Sequence, residues 1–146
     1  MAPKKIEILD ETGELLKAYT VPEGKDQFEG VVWEGVFLYG AQLSGANFKG
    51  ADLYWAGLCM ANLDGANFEK AQLQGANLRD ASCVGANFRY ANLGRDNLGG
   101  SSQLQGANLS GAILNRAKLD GAEYDGSTVF PEGFYPPSHG MVDTDD

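Results

Sequence analysis

The stretch Ala46-Asn47-Phe48-Lys49-Gly50, Ala51-Asp52-Leu53-Tyr54-Trp55, Ala56-Gly57-Leu58-Cys59-Met60, Ala61-Asn62-Leu63-Asp64-Gly65 repeats itself every five residues. Each unit carries one small and one large apolar residue, two positions apart. A period of five matches neither an α-helix, at 3.6, nor a flat strand, at 2. A chain so patterned keeps both apolar residues inside only by turning a corner in every unit.

The same phase extends in both directions. With the large residue as the centre of each unit, centres fall at residue 28 and every fifth residue to 98, then resume at 104 and run to 129. That makes 21 units, with one extra residue expected between Leu98 and Leu104. Leu or Phe fills 17 of the 21 centres and Ala fills 15 of the positions two residues earlier, too regular for chance. Phe28, Phe48, Phe68 and Phe88 recur every 20 residues, and Leu109 and Val129 are expected to continue their column. Gly45, Gly65, Gly85, Gly106 and Gly126 suggest a second column. Four units then close one square coil, giving about five coils of 20 residues.

Coils stacked at ~4.8 Å would set Glu29, Lys49, Glu69 and Arg89 in a ladder of alternating, mutually attractive charge. Asn47, Asn67, Asn87 and Asn108 suggest an asparagine ladder of the kind that stabilises stacked strands. The repeated Ala-Asn/Asp-Leu/Phe-X-Gly pattern over residues 26–129 resembles the pentapeptide-repeat family. The resemblance implies an all-β fold, a right-handed quadrilateral β-helix; the handedness comes from the resemblance alone. The segment Thr128-Val129-Phe130-Pro131-Glu132-Gly133-Phe134 also looks like the end of many bacterial members.

Outside the repeat, residues 1–25 read as an N-terminal cap. Lys5–Leu9 and Leu15–Val21 flank the turn Asp10-Glu11-Thr12-Gly13, a β-hairpin pattern. Residues 130–146 read as a C-terminal cap of aromatic and proline residues followed, from 138, by a mobile acidic tail. No apolar run reaches the ~18 residues of a membrane helix, and the start shows no signal-peptide core. The cytoplasm is therefore the expected compartment, and no membrane partner is expected.

The net charge of −9 is unevenly spread. Residues 36–119 hold five acids and seven bases, whereas residues 120–146 hold seven acids and no base. Direct binding of nucleic acid is not expected. Two cysteines, Cys59 and Cys83, make neither a disulfide framework nor a zinc motif. His139 is the sole histidine, and no nucleophile elbow or calcium loop is present. Asp-Gly pairs such as Asp64-Gly65 read as corner residues. No enzyme activity, metal or cofactor is expected.

Two irregularities remain. Asp96 stands where Ala is expected, in Asp96-Asn97-Leu98-Gly99-Gly100-Ser101-Ser102. This bulge at Asp96, Gly99, Gly100, Ser101 and Ser102 is either a kink, with the carboxylate bonded to backbone amides, or a small binding bump. Tyr39, Tyr54, Trp55, Cys59 and Met60 fall at outward or corner positions, beside Phe37, whose ring has room opposite Gly57. They form either an exposed partner surface or a patch covered by the N-terminal segment.

The expected function is a non-enzymatic scaffold or protein-interaction protein, acting as a monomer or weak dimer. The alternative implied by the resemblance is a DNA mimic acting on a type II topoisomerase such as gyrase. The near-neutral middle and the lack of an evident C-terminal helix depart from that pattern.

Overall fold

A computed structural model describes residues 3–146; the first two residues of the expected cap lie outside the described residues. The chain winds into a square-sectioned β-solenoid. Most corners are tight turns in which the central residue's carbonyl accepts the N–H three residues on. Leu43 O takes Ala46 N at 3.0 Å, and Phe48 O takes Ala51 N at 3.0 Å. The third turn residue has positive φ, 71° at Gly45 and 67° at Gly50, which defines a type II turn and explains the frequent glycine there. Trp55 and Met60 adopt the same conformation, with φ of 56° and 60°.

Successive coils pair in parallel. Asn47 bridges Asn67 and Asn67 bridges Asn87, while Gln42 bridges Asn62 and Asn62 bridges Ser82. The resulting column of Phe28, Phe48, Phe68 and Phe88 is buried, with neighbouring ring centroids 4.8, 5.4 and 5.1 Å apart. Leu38, Leu53, Leu58 and Leu63 fill other columns, with Ala51, Ala56 and Ala61 between them. Each buried Leu or Phe contributes ~1.5–3 kcal/mol before the entropy of ordering the chain.

The irregularity near residue 98 is larger than expected. Asn77 bridges Gln103 and Ser82 bridges Asn108, each 26 residues on instead of 20. The insertion is therefore six residues, not one. Leu98, expected at a core centre, lies outside the coils and is 82 % exposed. The pentad phase reports an insertion only modulo five, so a whole extra unit is invisible to it. The columns shift accordingly. Asn87 bridges Ile113, so Leu114 follows Phe88, while Leu109 lies over Cys83 instead. Gly111, not Gly106, follows Gly85. A second slip, with Asn108 bridging Val129, makes Phe130 the last centre and leaves Val129 exposed.

The asparagine ladder is a backbone ladder only. The side chains of Asn47, Asn62, Asn67 and Asn87 accept hydrogen bonds from the N–H two residues on, at 3.0 to 3.1 Å. An Asx turn satisfies each corner locally, and this consumes the amide oxygen a ladder would need. Asn108 belongs to a different column. Of the charge ladder, Lys49 and Glu69 pair at 3.8 Å with both side chains partly exposed, a contact worth at most ~1 kcal/mol.

Both ends are capped. Strands β1 (Lys5–Leu9) and β2 (Leu15–Thr20) form an antiparallel hairpin. Its turn is organised by Asp10, whose Oδ1 accepts bonds from Thr12 Oγ1, Thr12 N and Glu14 N. The Thr12 hydroxyl, first among these donors, holds the Asp10 carboxyl below its ordinary pKa. Ile8 is buried, Leu9 O accepts Gln42 N, and Tyr19 packs against Phe28 and Trp33.

At the other end, β3 (Glu123–Tyr124) pairs in parallel with β4 (Val142–Asp143) after a short 3-10 turn at Pro136–His139. The tail expected to be mobile is docked instead. Met141 is buried, and the chain adds itself as a further rung on the last coil.

Candidate functional site

The hairpin covers the end of the first coil and leaves Trp55 46 % exposed. Trp55 stands at the corner between the Leu53 and Leu58 columns. Gly35 precedes it in that corner row and Gly75 follows, by the pairings of Gly35 with Tyr54 and of Trp55 with Gln74. The indole lies over Gly75; a Cβ built there would collide with Cδ1 and Nε1 of the ring.

The six-residue loop leaves the coil at this same row, after Arg95, which still pairs with Asp120, and turns back toward Trp55. Trp55 Nε1–H donates to Asp96 Oδ2 at 2.6 Å. Asp96 Oδ1 accepts Leu98 N at 2.8 Å and Gly100 N at 2.6 Å, while Asp96 N donates to Gly100 O. Asp96 therefore does not occupy an inward alanine position. It closes its own loop and ties that loop to the aromatic corner. Its carboxyl is held below the ordinary pKa, chiefly by the Gly100 amide and also by the Trp55 indole, against a smaller opposing effect of burial.

The two irregularities read separately from the sequence are thus one place. A groove of about 390 Å³ runs between them, lined by Glu34, Asp52, Tyr54, Trp55, Asp96, Asn97 and Leu98. Tyr54 is half-buried; its hydroxyl accepts the Gln74 amide at 2.8 Å, which fixes the ring. Sequence reasoning missed Glu34, Asp52, Asn97 and Leu98. The signal available was Asp96 in an alanine slot, which marked the unit around Leu98 as abnormal.

The other expected site residues lie elsewhere. Tyr39 and Phe37 stack with centroids 6.1 Å apart on the next face, and the Tyr39 hydroxyl meets Met60 Sδ at 2.9 Å. Phe37 bridges Gly57, where an added Cβ would lie 3.3 Å from the ring. Cys59 is half-buried, and burial raises its thiol pKa. Cys83 is fully buried, and burial pushes its thiol up to about 12. Neither is a ready thiolate.

Of the bulge residues, Gly99 and Ser101 stay in the loop, and Gly100 helps close it. Ser102 does not belong to it. It is buried in an alanine position of the following coil, and its hydroxyl donates to Leu93 O at 2.5 Å. His139 stacks on Phe134 at the far end. Among the described residues, no group of three or more His, Cys, Asp or Glu side chains is placed to hold a metal. No helix among them is long and apolar enough to cross a membrane.

Fold and site define a β-solenoid scaffold with one loop-bearing corner. The model of pentapeptide repeats matches residues 27–58, 58–95 and 102–123, breaking where the loop interrupts the coil. The chain belongs to the pentapeptide-repeat family, whose fold is the right-handed quadrilateral β-helix. It is similar to the crystal structure of the pentapeptide repeat protein Rfr23 from the cyanobacterium Cyanothece 51142. Identity is 34 %, coverage 76 % of this chain and 71 % of that one, and the TM-score 0.64. A pentapeptide repeat protein from Nostoc is 34 % identical over 77 % of this chain and 84 % of its own, with a TM-score of 0.43. One from the Arabidopsis thaliana thylakoid lumen is 31 % identical over 68 % of this chain and 60 % of its own, with a TM-score of 0.45. No curated protein matches the sequence.

Proposed function

We propose that this protein is a non-enzymatic interaction protein, and that its partner-binding surface is the corner formed by Trp55, Tyr54 and the loop 96–101. The observation that supports this most is a half-exposed indole and an 82 % exposed leucine lining one groove, with the leucine's loop hydrogen-bonded to the indole through Asp96. A rigid solenoid gives no stability reason to hold Leu98 in water, and Trp and exposed apolar groups together mark binding anchors. The proposed partner is a protein. The protein is further proposed to act in the cytoplasm.

The topoisomerase-mimic reading has no observation of its own. A mimic of duplex DNA needs carboxylates along its faces, whereas the span 36–119 holds seven bases to five acids.

The test is affinity capture from lysate with four proteins: wild type, Trp55→Ser, Leu98→Ser, and a control altered on another row, Lys70→Ser. A protein held by wild type and Lys70→Ser but lost with both other variants is the expected outcome. Equal retention by all four would remove this corner as the docking surface.

A further inference from the structure

The Trp55 groove carries a chemical preference. We infer that its occupant is an arginine side chain presented by a basic segment of the partner. This inference rests on the reading of the Trp55 corner as the docking surface and specifies what docks there.

The first argument is charge. Three of the seven lining residues are carboxylates, Glu34, Asp52 and Asp96, and none is basic. The Glu34 carboxylate is exposed and has no hydrogen-bond or ion-pair partner among the described residues. Asp52 accepts one bond, from Tyr54 N at 3.2 Å, through Oδ1, leaving its second oxygen free. The nearest base in sequence, Arg95, is turned away, its stem and Nε lying over Gly121 on the following coil. The groove is therefore a local concentration of negative charge within a span whose overall balance is slightly positive. A phosphorylated or acidic segment would be repelled from it.

The second argument is the fixed aromatic plane. Gly75 supports one side of the indole, and Asp96 holds its N–H edge. The ring is thus immobilised before any partner arrives, which lowers the ordering cost of binding. A planar guanidinium stacks on such a ring while its N–H groups fork toward carboxylates, whereas an ammonium offers a point charge without a plane. Leu98 and Tyr54 flank the groove with apolar surface for the methylene stem.

The experiment uses the full chain labelled with nitrogen-15 and the peptide acetyl-Gly-Arg-Gly-Arg-Gly-amide, beside twins carrying citrulline or lysine in place of arginine. The readouts are the Trp55 indole N–H and the Leu98 and Gly100 amides, with the Trp33 indole as an internal reference. The arginine peptide is expected to shift all three signals and leave Trp33 in place. The lysine twin should bind more weakly and the citrulline twin more weakly still. Raising sodium chloride from about 20 to about 300 mM should weaken the effect, since charge interactions are screened. Glu34→Gln, which removes no internal contact, should weaken arginine binding by about threefold, the range of a single exposed charge pair.

Equal shifts with the citrulline twin would overturn the charge argument and point to an apolar occupant. No shift with any peptide would overturn the arginine site altogether. Either failure is separable from failure of the docking surface. A partner captured by wild type and lost with Trp55→Ser would leave the surface standing with a different occupant.

Discussion

At the scale of the residue, the most informative position is Gly75. Several corner residues pay the strain of a left-handed backbone without being glycine, Trp55 and Met60 among them, so that strain does not single out Trp55. What distinguishes it is the empty space it lies on. Gly75 and Gly65 share the same conformation, with φ of 73° and 67°, but a Cβ at Gly65 would meet nothing within 4 Å. Gly65→Ala should therefore lose only the roughly 1–2 kcal/mol of a left-handed alanine. Gly75→Ala should lose more, because its methyl must also displace the indole and break the bond to Asp96. Urea unfolding of both variants measures the difference. In a Trp55→Gly background the two alanine substitutions should become equal. A difference that persists there would mean that the ring is not seated on Gly75.

At the scale of the element, the loop 96–101 shows what was legible and what was not. Pentad phase, Ala and Leu positions, the 20-residue coil and the hairpin at Lys5–Leu9 and Leu15–Thr20 all follow from local pattern, because one unit makes one corner. Column assignment after Leu98 does not follow. An insertion of one residue and one of six leave the same phase, and only pairing between coils tells them apart. For the same reason, the sequence showed Trp55 and Asp96 as two separate irregularities, 41 positions apart. Their meeting depends on a loop that turns back along one corner. The structure makes this testable by deletion. Removing residues 96–101 joins Arg95 to Ser102, and Leu93-Gly94-Arg95-Ser102-Gln103-Leu104 is then an unbroken pentad step. That variant should keep its circular dichroism spectrum and its thermal midpoint, since the loop contributes no core centre. It should lose any ligand that binds at the Trp55 groove. A collapse of the fold on deletion would show that the loop stabilises the coil and is no mere attachment to it.

At the scale of the whole molecule, stability is a sum of contacts between neighbouring coils, and the ends decide where unfolding begins. The two caps work differently. The hairpin is a separate element laid over the Phe28 end, whereas the C-terminal cap is the chain itself continuing the ladder beyond a short turn. Val142 N donates to Ala122 O, Thr144 N to Tyr124 O, and Gly121 N to Gly140 O, and Met141 fills the position an inward residue of a further coil would take. A tail that merely trailed in solvent could be removed without effect. Here, truncation after Gly140 should remove the buried Met141 side chain, worth ~1.5–3 kcal/mol, and bare the edge at Glu123–Tyr124. The urea midpoint should fall by a corresponding amount, and hydrogen exchange should rise first at Ala122 to Tyr124, while the Phe28 to Phe88 stack stays protected. Met141→Ala in the full chain separates burial from pairing, because it removes the side chain and keeps the backbone rung. If truncation left the midpoint unchanged, the docking of residues 141–146 would contribute nothing to the fold. If Met141→Ala matched the whole loss on truncation, burial of that one side chain, and not the added rung, would be what caps the solenoid.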